Sequence, residues 1–459
     1  MIEEFEYSGL WWLPDNQDKK IPGRFRFNQS EGAILELDGC FTEDPKVTGL
    51  FNPTMVNGVL NTGKDITLHR CLGRGVTVTG AFVEPRYYTS KLYAHEVFVG
   101  VHFGREEDIK FNRLHIRYSH LDEWLNLSPF KFEDNEEEKV WRYKPPTLVQ
   151  VSISDELRLA MAFELSYTYP VTVLHVTHKG VIVIAPAREA YFEKYQQIVR
   201  RVQDFLSLAL GEAVYPLDIE GQTESAKRVI GNHTLYEDVK IFYQLAVVPK
   251  QRPLSVFEPL FGYEAIANKF EHLLQNWFGK AEQLAPVYDL YFSSVYGREM
   301  YLEQKFLCLI QALESYHRRM VNNRKWPEED YNKRIEEIMW GVPSEYKKWL
   351  RYVLKHRNEP ELHERLEKLL NRFPTTVSSL IKDTQTFVNK VCDTRNYLTH
   401  HDENLKNAAA KGEALHRINL QLTALVEMCL LKELGFTPDE VHNCVSTKYS
   451  RYKILREST

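Results

Sequence analysis

Near the end of the 459-residue chain, the stretch RNYLTHHD (395–402) gathers an arginine, an amide and two imidazoles. Asn396 follows Arg395 directly, His400 stands five positions after the arginine, and His401 follows His400. With no carboxylate or thiol cluster beside them, these residues make a poor metal site. They make a good set for metal-free cleavage of RNA. An imidazole that titrates near neutral pH can take the ribose 2′-OH proton or give one to the leaving oxygen. A guanidinium stays charged and can hold the phosphate while negative charge builds on it. The product would be a 2′,3′-cyclic phosphate or the 3′-phosphate derived from it. DNA lacks the 2′-OH and would be spared.

The spacing alone is weak, because chance placement yields about three Arg-x(4–6)-His pairs in a chain of this composition. Arg113/His120, Arg228/His233, Arg351/His356 and Arg357/His363 all have similar spacing. Context favours Arg395, which lies between two long amphipathic segments in the helical part of the chain. The Arg357 pair has a proline between its partners and charged helices on both sides, and Arg113 lies in a strand-like stretch. On an ideal helix Arg395 and His400 are about 140° apart and do not share a face, whereas Asn396 and His400 do. Asn396 can therefore orient the imidazole. Arg395 must reach round on its long stem, or the helix must break, or a second chain must complete the site across a two-fold axis. The plainer reading is a polar helix C-terminus, where Arg and His are common for dipole reasons.

The elements that must position these residues fall into two classes. Residues 1–185 alternate between apolar and polar in short runs such as AILELDG, DITLHRCL, NRLHIRYSHL and VTVLHV…GVIVIA, which predicts a sandwich or a barrel-like sheet. HKG at 178–180 reads as a hairpin turn. After Pro186 the period changes: REAYFEKYQQIVRRVQDFLSLAL predicts a helix with Gly211 as its C-cap. The strand VKIFYQLAVV follows, then a link from Pro249 to Pro259, then a helix over YEAIANKFEHLLQNWFGKAE. From about residue 299 the chain reads as helical, including YLEQKFLCLIQALESYHR, SEYKKWLRYVL and TVSSLIKDTQTFVNKVCDTRN. NLKNAAAKGEALHRINLQLTALVEMCLLKELG is one long run ended by Gly435, with a short helix from Pro438 behind it. The expected class is α+β, with a β-rich domain and helical connector over 1–290 and an all-α bundle over 291–459.

Net charge is −5, unevenly spread. Residues 301–459 hold 26 Lys and Arg against 22 Asp and Glu, leaving 32 against 41 for residues 1–300. A nucleic-acid partner therefore belongs with the back half. The six cysteines show no C-x-x-C and no zinc spacing, which predicts reduced, mostly buried thiols and no metal. Trp11 and Trp12 read as packing residues. No apolar run approaches a membrane span, and the acidic start MIEEFEYSGLWWLP has no leader-like basic segment. Cytoplasmic location and no membrane partner are expected. No phosphate-binding loop of the form G-x-x-x-x-G-K-[ST] occurs, so no nucleotide cofactor is expected.

RNYLTH fits the motif of HEPN domains without gaps, and YLEQKFLCLIQALESYHR resembles their opening helix. The C-terminal part is similar to the Apea-like HEPN group of anti-phage proteins. YSGLWWLPDN…IPGRFRF…EGAILELDG and LNTGKDITLHRC resemble the domain that precedes HEPN in that group. The resemblance implies a HEPN ribonuclease of abortive infection, an RNA-binding toxin that cuts tRNA when a phage-derived trigger releases it. It makes Arg395 and His400 the catalytic pair and Asn396 their polar companion. It gives Glu314 a part in orienting Arg395 and makes His401 an alternative to His400; the homodimer is expected instead from the helix geometry, as the arrangement in which a second chain completes the site. Related HEPN toxins carry a tyrosine two positions after the histidine, which an antitoxin modifies; here that position is Asp402, so no antitoxin is implied. The competing expectation is a catalytically idle HEPN module for binding or dimerisation, with a ligand-sensing β-domain.

Overall fold

The structure is a computed structural model that describes residues 4–42, 51–79, 87–135, 137–231, 233–244, 259–297, 300–355, 357–446 and 452–457. Internal contacts divide the chain into two compact units, residues 1–206 with 214–254, and residues 207–213 with 255–459. The class is α+β, as the change of period predicts.

In the first unit six strands close on themselves. They are β1 (Phe5–Leu13), β2 (Asn16–Asn28), β3 (Gly32–Leu37), β4 (Met55–Leu60), β5 (Asp65–Thr79) and β6 (Tyr87–Val99). Pairing runs β6–β3–β2–β1–β4–β5, and β5 returns to β6, so the choice between sandwich and barrel falls to a barrel. On β2, Ile21, Gly23, Phe25 and Phe27 point inward and alternate with more exposed neighbours, the two-residue period of a strand. With Trp11, Val56, Leu68 and Val97 they fill the interior. Trp12 is buried as well. Closure leaves these six strands no free edge on the barrel itself.

β6 joins the barrel to the strands outside it in one continuous sheet. Ser90–Ala94 pair with β3, while Glu96–Val99 pair with the strand Val239–Tyr243. From there the sheet continues through Pro216–Gln222, Arg113–Tyr118, His175–Pro186, Leu157–Thr168 and Val149–Ser154. Glu96 sits at the fork, fully buried, where His69 Nδ1 and His95 Nδ1 each lie 3.0 Å from its carboxylate and Gln196 donates to it at 3.2 Å. Burial alone would raise this carboxyl, but the hydrogen bonds from His69 and His95 outweigh it and hold it below the ordinary carboxylate range.

Three local expectations are corrected. HKG is not a turn: Gly180 lies inside the strand His175–Pro186 and pairs with Phe163. The reason is close approach, since a Cβ on Gly180 would stand 2.7 Å from Leu125 Cδ1, and its N–H donates to Asp122 at 2.6 Å. The run from Asn404 is not one helix. Its long helix starts at Gly412, after an extended Lys411, and Ala410 N–H is taken by the Thr394 hydroxyl instead. YEAIANKFEHLLQNWFGKAE divides into Tyr263–Ile266 and Phe270–Gly279, with a further helix Ala281–Tyr296, because Lys269 and Lys280 leave helical geometry. Residues 249–258 of the proline-punctuated link, residues 80–84 of the run GVTVTGAFVE, and His356 lie outside the described residues.

The second unit is helical. The opening helix Leu302–Met320 and the central helix Gly412–Leu434 pack together, the latter with both faces largely buried. Gly435 caps it in the left-handed conformation, as predicted, with φ of 109°. Inside, Glu427 is fully buried and accepts from the hydroxyls of Tyr291, at 2.6 Å, and Tyr452.

The barrel has one tight contact that can be tested simply. A Cβ on Gly58 would stand 2.4 Å from Trp11 Cε3. Gly58→Ala should therefore destabilise the protein by about 1–3 kcal/mol, read as a lower thermal midpoint. An unchanged midpoint would mean the indole yields freely.

Candidate active site

The motif lies on the helix Thr384–His400. Asp383 starts it by accepting from the backbone N–H groups of Gln385 and Thr386 at 3.0 and 3.1 Å. Phe387, Val388, Val391 and Thr394 form its buried stripe. The helix starts later and ends later than the sequence suggests, since residues 379–383 interrupt it and it runs past Asn396 to His400. It is unbroken between Arg395 and His400, which removes helix breaking as a way to bring them together.

The two motif residues accordingly part. Arg395 is half-buried and lines an open groove with Asn396; His400 is exposed and does not line it. The His400 side chain has no hydrogen-bond partner among the described residues. Asn396 does not orient His400. Its Oδ1 accepts from Arg395 Nη1 at 3.0 Å, because a guanidinium on the same side is the stronger donor. Glu314, on the opening helix, comes to 3.9 Å of Arg395 Nη2. His401 ends the helix: it is left-handed, with φ of 51°, and its N–H donates to Tyr397 O at 2.7 Å. Its ring lies edge-on to Tyr397 at 6.0 Å.

The groove has a volume of about 470 Å³. Its walls come from the opening helix (Glu314, Arg318), the stretch 357–365 and the motif helix (Cys392, Arg395, Asn396). The Arg357/His363 pair, disfavoured on sequence grounds, lies in this same groove. His363 Nε2 is 3.2 Å from Asn389 Oδ1 and 3.0 Å from Gln385 Nε2, and Nδ1 is 3.5 Å from Glu367. Pro360 does not separate the pair; it turns the chain into the wall, where its carbonyl accepts from Arg365 at 2.9 Å. A charge-dense stretch such as RNEPELHERLEK reads as a solvated helix, and nothing in its spacing announces a wall.

Arg365 braces that wall and is buried. It donates to Asn323 at 2.6 Å and to His317 Nδ1 at 3.2 Å, and it pairs with Glu359 at 3.3 Å. Burial, with the charge of Arg365 behind it, pushes His317 down to about 4. His317 is thus a neutral acceptor at pH 7 and no proton shuttle. Burial also raises the Cys392 thiol to about 11, so it is not a ready nucleophile. All six cysteines are free thiols, but only Cys71 and Cys429 are buried; the other four are partly exposed, which corrects the expectation that most would be buried. No group of three or more metal-ligating side chains occurs among the described residues. Among the described residues, no helix is long and apolar enough to cross a membrane.

Removing the brace leaves Glu359 and Asn323 without their buried partner. Arg365→Met should cost about 3 kcal/mol, measured by denaturant unfolding. A loss within experimental error of zero would show that the wall stands without it.

Comparison with family models matches residues 6–277 to the ApeA N-terminal domain 1 and residues 307–440 to the Apea-like HEPN domain. No curated protein and no solved structure matches the chain. The first match covers more than half of the chain and the second contains the whole motif helix, so the protein belongs to the ApeA family, with an ApeA N-terminal domain ahead of an Apea-like HEPN domain.

Proposed function

We propose that this anti-phage HEPN effector is a metal-independent endoribonuclease that halts translation during infection, with tRNA as its substrate. The observation that carries the reading is the groove in which Arg395 stands, oriented by Asn396 and by Glu314 3.9 Å away, on the helix that ends in an exposed His400. Arg395 holds the scissile phosphate. An imidazole takes the 2′-OH proton, the 2′ oxygen attacks phosphorus, and the bond to the 5′ oxygen breaks as that oxygen is protonated. The products are a 2′,3′-cyclic phosphate and a 5′-hydroxyl.

His400 leaves the helix on another side from Arg395, so a second copy of the chain supplies the imidazole in a two-fold homodimer. The β-rich unit acts as sensor or restraint, answering to a phage-derived trigger, and the protein works in the cytoplasm. His401 serves as the helix cap, and a cap is replaceable in a way a proton-transfer group is not.

His400→Ala should lower RNA cleavage at least a hundredfold and abolish growth arrest on induction, while His401→Asn should retain both. Cleavage by the wild type should persist in excess EDTA, and mapped RNA ends should carry cyclic phosphates. Full toxicity in His400→Ala would instead support an idle HEPN module whose β-rich unit does the work.

A further inference from the structure

Arg318 and Arg357 stand in the groove of Arg395, yet the chemistry of cleavage has no use for them. Both are largely exposed, with 64% and 63% of their side-chain surface open to solvent. Each is held by a single carboxylate, Arg318 by Glu359 at 2.9 Å and Arg357 by Glu361 at 3.1 Å. Exposed ion pairs of this kind are weak. A phosphate can replace either carboxylate at little cost and makes a better bidentate partner for a guanidinium.

We propose that this groove is a subsite for single-stranded RNA, in which Arg318 and Arg357 hold the phosphate adjacent to the one that is cut. The assignment rests on the ribonuclease reading and extends it to the path of the strand. Four guanidiniums line the groove, those of Arg318, Arg357, Arg365 and Arg395, against the carboxylates of Glu314, Glu359 and Glu361. Arg365 is committed to the wall by its buried contacts, and Arg395 to the scissile phosphate. That leaves Arg318 and Arg357 for the neighbouring phosphate. A volume of about 470 Å³ suits one nucleotide and not a duplex. His363 also lines the groove, with Nε2 engaged by either Gln385 or Asn389 according to its tautomer and Nδ1 3.5 Å from Glu367. What the ring has left to offer a base is its face, the usual mode for an unpaired nucleotide.

The test is the salt dependence of cleavage and of binding. In Arg318→Ala/Arg357→Ala, KM for a single-stranded RNA should rise about tenfold, and the slope of log affinity against log salt should shrink by roughly 0.7 per arginine removed. The turnover number at saturating RNA should stay within about twofold of wild type. Arg318→Lys/Arg357→Lys keeps the charges and should recover most of the slope. Wild-type KM and slope in the double alanine variant would overturn the subsite, as would a fall in turnover at unchanged KM. His400→Ala keeps the two failures apart. If it still cleaves, the ribonuclease reading of the motif is wrong. Whether or not it cleaves, fluorescence anisotropy with the same RNA, comparing His400→Ala with and without the two arginine changes, reads the subsite directly. Equal affinities there would overturn it.

Discussion

The pitch of one helix sets the geometry of this site. Five residues advance an α-helix by about 140° beyond a full turn, and the helix Thr384–His400 holds that geometry to its last residue. Asp383 fixes its start, a buried stripe from Phe387 to Thr394 fixes its rotation, and His401 fixes its end. With rotation fixed, Arg395 and Asn396 line the groove, and His400, about 140° round from Arg395 and one turn beyond Asn396 at the helix end, does not line it. That separation is the physical reason for proposing that a second subunit completes the site.

The groove is built to keep its cations usable. Guanidiniums are costly to bury without partners, and the one that is buried, Arg365, is satisfied by Asn323, His317, Glu359 and the Pro360 carbonyl. The exposed ones, Arg318 and Arg357, each pair with a single carboxylate, Glu359 and Glu361 respectively. Arg395 is intermediate, with an amide neighbour at 3.0 Å and a glutamate at the limit of an ion pair. Its charge is positioned but not neutralised by a tight bidentate contact, which leaves it open to the phosphate that the proposed cleavage would bring. Neutral His317 completes the division of labour: one imidazole serves the wall and another is left exposed.

Much of this is legible in the sequence, and the parts that are not share a cause. Periodicities of two and of 3.6 separate the barrel from the bundle, because inward residues such as Phe25 and Phe27 alternate and those of the opening helix recur every three or four positions. Gly435 as a cap is readable for the same reason, since its left-handed φ is a local matter. Gly180 misleads because its role is not local: it is small to admit Leu125, some fifty residues away in sequence, and a lone glycine looks the same whether it turns or yields space. The start of the long helix at Gly412 depends on Thr394 taking the N–H of Ala410, again a distant partner. Arg357 and His363 look unpromising because the chain between them contains a proline, although that proline shapes the wall they occupy. Pairing of Asn396 with Arg395 in place of His400 turns on side-chain rotation, which spacing does not encode.

The most direct measurement is RNA cleavage by a mixture of two inactive chains, Arg395→Ala and His400→Ala, co-expressed and purified together. If Arg395 of one subunit works with His400 of the other, mixed dimers contain one intact site and the mixture regains about a quarter of wild-type activity. A mixture as inactive as either parent, with mixed dimers demonstrably present, would contradict the account.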